Sequence, residues 1–69
     1  MDNRQEILYF DQVKDRLIHV DRLGVVTPYP PDSDTAQFLI NAFAEENDLS
    51  AIHVSGKILA GETFTIHFG

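Results

Sequence analysis

AFAEENDLSAIHVSGKIL, residues 42–59, can be read in two ways, and the fold turns on the choice. With a period of two, Ile52, Val54, Gly56 and Ile58 share one face and His53, Ser55 and Lys57 the other, which is a strand. With a helical period, residues 42–47 end one helix, a turn follows, and a second helix begins near Leu49. The alternation resumes after Ala60-Gly61-Glu62, with Phe64, Ile66 and Phe68 against Thr63, Thr65 and His67. Directly opposed residues of an antiparallel pair share a face. Pairing Ile58 with Phe64, Gly56 with Ile66 and Val54 with Phe68 places every apolar residue on one side and leaves residues 60–62 as the loop. A helix would put Gly56 in its interior, at a cost of ~1 kcal/mol against alanine, and would align Ile52 and Ile58 poorly. β-Branched residues and Phe dominate, as in strands. The spacing predicts a C-terminal hairpin. A three-strand meander turning at Ser55-Gly56 is the other strand reading.

The helical reading has a counterpart among known sequences. FAEENDLSAIHVSGKI, about sixteen residues from Phe43, resembles the helix-turn-helix pattern of bacterial repressors. Ala44 would be the small residue of the first helix. Asp48 would stand in the turn, where that pattern usually has Gly. Leu49 and Ser50 would open the recognition helix, with Val54 and Ile58 buried. The resemblance implies a DNA-binding transcriptional regulator. Charge opposes it, because affinity for nucleic acid comes largely from Lys and Arg neutralising phosphates. Residues 24–69 hold one base, Lys57, against Asp32, Asp34, Glu45, Glu46, Asp48 and Glu62. Residues 1–23 are nearly balanced, and the whole chain carries −6.

Upstream, residues 4–23 read as a long helix. Asn3 and Glu6 have the spacing of a capping box. Tyr9, Phe10, Val13, Leu17 and Val20 form one stripe at 100° per residue. Gly24 follows as a left-handed stop, with Val25 packing back on Val20. The competing reading is two short strands, EILYF and RLIHV, but DQVKD between them lacks a strong turn residue. Val25–Thr27 suit a short strand closed by Pro28, and Pro30 and Pro31 bar a helix before Asp32. The oxygens of PDSDT can cap a second helix over Thr35–Asn47, whose apolar arc is Ala36, Leu39, Ile40, Phe43 and Ala44. The expectation is one α+β domain over residues 1–69, in the order α-β-α-β-β.

Sixty-nine residues without cysteine form a small core with no disulfide or thiolate–metal staple. No apolar run approaches the ~20 residues of a membrane span, and MDNRQE does not read as a signal peptide, so a cytoplasmic protein is expected. His53 and His67 on the polar face of the hairpin are the nearest approach to a metal pair, but no HExxH or His-x-His spacing accompanies them. The acids lie in caps and on helix faces, and Ser50 and Ser55 have no adjacent triad partners. No catalytic residue, metal or cofactor is expected. Pro28 to Pro31 has a PxxP spacing and reads as a rigid bend. Phe38, with Ala42 and Glu45 beside it, lies off the core arc of its helix. These three, together with Tyr9 and Val13 of the first helix, are the expected partner-binding residues. The functional expectation is a small acidic, non-enzymatic protein-binding module, a regulator or inhibitor of the size a phage or mobile element encodes. The expected partner is another protein, a basic surface being one candidate, and a homodimer or obligate complex is expected. The alternatives are the DNA-binding regulator and an accessory subunit of an enzyme complex.

Overall fold

A computed structural model describes residues 4–68, so the Asn3 cap lies outside the described residues. The chain runs β1 (Gln5–Asp11), β2 (Arg16–Val20), β3 (Val26–Tyr29), α1 (Asp34–Glu46), α2 (Ala51–Leu59) and β4 (Phe64–His67). The four strands form one antiparallel sheet in the order β3-β2-β1-β4. Both helices pack on one face of it. The class is α+β as expected, but three strands precede the helices.

The helix expected over residues 4–23 is instead the β1–β2 hairpin, pairing Ile7 with Val20 through Asp11 with Arg16. DQVKD turns through its two aspartates. The Val13 and Lys14 N–H groups donate to Asp11 Oδ1 at 3.1 and 3.2 Å, and Asp15 takes φ 55°. Asp tolerates the left-handed region and mimics a backbone turn through its side chain, so the reversal needs no Gly. The next turn repeats the device. Asp21 Oδ1 accepts from the Leu23 and Val25 N–H groups at 2.9 and 3.0 Å, and Gly24, at φ 84°, turns the chain into β3 rather than ending a helix. Pro28 lies inside β3, opposite Ile18. An edge strand tolerates a residue without an N–H.

The second expected helix stands as α1. Ser33 caps it, accepting from the Ala36 N–H at 3.1 Å, and all five residues of the expected arc are buried. Its end explains why residues 51–59 do not extend into a strand. Asp48 takes φ 57°, its N–H donates to Glu45 O at 3.2 Å, and the Leu49 N–H reaches back to Ala44 O at 2.8 Å. This is a Schellman motif with Asp at the left-handed position, and Leu49 packs against the core. Ser50 then caps α2, its Oγ accepting from the His53 N–H at 3.1 Å. A second Schellman motif closes α2 at Gly61 (φ 99°), with Gly61 and Glu62 donating to Ile58 O and Lys57 O, each at 3.0 Å.

The expected hairpin of residues 52–68 is therefore absent. Its second arm is β4, but β4 pairs with β1, from Gln5 with His67 to Leu8 with Phe64. Val54 and Ile58 are buried one helical turn apart, whereas Ile52 is 86% exposed. Ile52 and Gly56 are both exposed, so of the alternating set only Val54 and Ile58 are buried, at a spacing of four that fits a helix. The core between sheet and helices comprises Leu8, Leu17, Ala36, Leu39, Ile40, Phe43, Ala44, Val54, Ile58 and Phe64.

Gly56 offers a direct check on α2. A Cβ built there meets nothing within 4 Å, so Gly56→Ala should stabilise the protein by ~0.5–1 kcal/mol. The measurement is the urea midpoint at unchanged slope. Ser50→Ala should cost ~1 kcal/mol in the same assay, through loss of the cap.

Candidate interaction surface

Side chains alternate across a sheet, and the register fixes which of them share a face. Leu8, Phe10, Leu17, Tyr29, Phe64 and Ile66 point to the helices and belong to the core or pack against it. By the same alternation Ile7, Tyr9, Ile18, Val20, Val26 and Pro28 point the other way. They form two adjacent rows. Tyr9, Ile18 and Pro28 are aligned across β1, β2 and β3. Ile7, Val20 and Val26 lie beside them, with Thr65 of β4 opposite Ile7. Neither helix covers this face.

An antiparallel sheet with one face open usually alternates apolar inward and polar outward. β1 and β2 depart from that rule where they could be expected to obey it. Ile18 is only 3% exposed although it stands outside the helix-side core. Val26 is 58% exposed. Ile7, Tyr9 and Val20 are half-buried.

Charge on this face is confined to one end. Asp11 and Arg16 oppose each other there, with Arg16 Nε 3.6 Å from Asp11 Oδ2. That Nε is buried without a hydrogen-bond partner. At the other end Gln5 pairs with His67, and Thr65 Oγ1 lies 3.4 Å from His67 Nε2. One acid and one base balance, so the outer face is close to neutral in a chain of net charge −6. The excess acid lies elsewhere. Asp32 and Asp34 stand at the start of α1 and Glu45, Glu46 and Asp48 at its end, while Glu62 reaches Lys57 at 3.5 Å.

The expected partner-binding residues fall into separate regions. Phe38, Ala42 and Glu45 do come together, at i, i+4 and i+7 along α1. Phe38 is 69% exposed and turned away from the core, as its place off the apolar arc implied. Tyr9 is across the molecule, in the middle of the outer sheet face. Val13 is at the tip of the β1–β2 turn, 93% exposed. The hairpin that would have set His67 against Ser55 does not form, so His53 is in the first turn of α2 and His67 on β4. Sequence reasoning missed Ile7, Ile18, Val20, Val26 and Pro28 as a surface. Their signal was the unbroken run Ile7–Phe10 and the near-unbroken Leu17–Val20, the mark of strands apolar on both faces.

Other features support the core rather than a reaction. His19 Nε2 and Glu6 Oε1 are 2.9 Å apart on the helix-facing side. The His19 ring meets Phe43 edge-on at 6.1 Å, and the Arg22 guanidinium covers the Phe68 ring at 4.7 Å. Asn47 Nδ2 donates to Phe43 O at 2.8 Å and Thr65 O at 3.2 Å, tying the end of α1 to edge strand β4. A cleft of ≈ 90 Å³ between sheet and helices is lined by apolar side chains and Ser55, with no imidazole or carboxylate. A wider, open cleft is bounded by Asp15, Arg16 and Pro28–Pro31, which makes the PxxP segment a wall. Among the described residues no three His, Asp or Glu side chains gather as a metal site, and no helix is long and apolar enough to cross a membrane. Compared with models of known families, with curated proteins and with solved structures, the chain matches none.

Proposed function

We propose that this is a non-enzymatic protein-binding module, a small regulator or inhibitor, and that the outer face of its sheet is the contact surface. The observation that carries the reading is the double-sided character of β1 and β2. Outward Ile7, Tyr9 and Val20 extend around the buried Ile18 onto Val26 and Pro28, and neither helix lies over them. Contiguous apolar surface of this kind marks interaction sites in small proteins. Burying it adds stability to a chain whose single core supplies only ~3–5 kcal/mol. The expected contact through Phe38 is second to this face, since a lone exposed aromatic needs no explanation.

The test is co-purification from the native host. Tyr9→Lys and Val26→Lys should each lose a protein bound in fixed stoichiometry to the wild type, be it another copy or a different chain, while Phe38→Lys keeps it. Loss with Phe38→Lys alone would move the contact to α1, and the absence of any stoichiometric protein would end the reading.

The DNA-binding alternative has one observation in its favour: α1 and α2 are two helices joined by a short turn at residues 47–50. The outward side of α2, however, carries Ile52, Gly56 and Leu59, with Lys57 its one permanent cation. Duplex binding is expected to be no tighter than the weak non-specific range of ~10⁻⁴ M at physiological salt. A salt-sensitive, sequence-selective mobility shift at nanomolar protein would restore the recognition-helix reading.

A further inference from the structure

We infer that the occupant of the outer sheet face is a second copy of this chain, packed face to face across a two-fold axis to make a sandwich of two four-stranded sheets. The inference rests on the protein-binding reading and adds the identity of the partner. Charge is the first argument. The face holds one acid and one base, Asp11 and Arg16, which already oppose each other. Six of the eleven acids, Asp32, Asp34, Glu45, Glu46, Asp48 and Glu62, stand on α1, its flanking turns and the loop after α2, and with Lys57 as the one base there they account for −5 of the −6. Two copies meeting sheet to sheet therefore bring neutral surfaces together and turn their acidic helix layers outward, away from each other. A strongly basic partner would find its complement on the helix side, not here. An isologous contact requires a surface that tolerates itself, and this one does.

Area is the second argument. At the usual strand spacing and ~3.4 Å per residue, strands of seven, five, four and four residues make a stepped face rather than a full rectangle. That is on the order of 330 Å² in projection, which side-chain relief and the flanking turns bring toward the ~600 Å² per partner at the lower end of specific interfaces. That lower-end requirement is about an eighth of the 4673 Å² that the chain exposes. Shape agrees with charge and area. Sheets stacked ~10 Å apart interdigitate rows of outward side chains, and the rows Tyr9–Ile18–Pro28 and Ile7–Val20–Val26 are such a set.

Sedimentation equilibrium on the full chain tests the inference. The wild type should be a dimer at tens of micromolar. Val26→Lys changes a residue that is exposed in the single chain, so it should leave the helical circular dichroism intact and weaken dimerisation at least tenfold. Val20→Lys should do the same, and Phe38→Lys should leave the dimer unchanged. Each substitution adds the same charge, so a difference between them reports position. A wild type still monomeric at several hundred micromolar overturns the inference, and so does a dimer broken by Phe38→Lys but not by Val26→Lys. A monomer that binds a different protein, lost on Val26→Lys, overturns the second copy while leaving the protein-binding reading standing. A monomer with no protein on this face overturns both.

Discussion

Leu8→Ala is expected to cost ~2–5 kcal/mol, enough to leave much of this chain unfolded at 25 °C. Leu8 is 0% exposed. It sits on β1, between β2 and β4 in the sheet, opposite His19 on one side and Phe64 on the other, and its side chain points into the helix layer. Removing the branching methine and its two methyl groups there leaves a cavity walled by a sheet and two helices, which cannot close around it. Val13→Ala should change stability by less than about 0.5 kcal/mol, because Val13 is 93% exposed at a turn. The contrast is diagnostic. Were residues 4–23 a helix with Val13 in its buried stripe, Val13→Ala would be the costly change and Leu8→Ala the mild one. Urea denaturation followed by circular dichroism separates the two outcomes.

The second large effect belongs to α2. Ile58 is 2% exposed and Ile52 is 86% exposed, although a strand over residues 52–58 would put both on one buried face. Ile58→Ala should lose ~2–5 kcal/mol, whereas Ile52→Ala should lie within about half a kcal/mol of the wild type. Equal losses at the two positions would bring back the hairpin and remove α2.

α1 was legible in the sequence because its five core residues recur at a clean helical period and a serine precedes them. β4 was legible from Phe64, Thr65, Ile66 and His67, since a strand with one buried face announces its period. Its partner was not, because β1 lies more than fifty residues upstream and nothing local encodes a long-range pairing. β1 and β2 were obscured by the property that makes them interesting. A run such as Ile7-Leu8-Tyr9-Phe10 has no alternation to read when both faces are apolar, and a helical wheel will accept it. The turn between them added to the error, since Asp11 and Asp15 reverse the chain by side-chain acceptance and a left-handed φ without the Gly that usually signals a hairpin. In α2, the alternation of Ile52, Val54, Gly56 and Ile58 was coincidence on a short helix; Ser50 and Gly61 were its true boundaries. Of the expected contact residues, Tyr9 falls on the proposed surface. Phe38, Ala42 and Glu45 form a group of their own on the opposite side of the molecule.

The most direct test of the proposed outer-face contact is isotope-filtered NMR on a mixture of labelled and unlabelled chains, at a concentration where sedimentation shows association. The account predicts intermolecular contacts from the methyl groups of Ile7, Val20 and Val26 to the same set and to the Tyr9 ring, with none from Phe38, Ile52 or Leu59. Intermolecular contacts confined to Phe38, Ile52 and Leu59, with none from Ile7, Val20 or Val26, would contradict it.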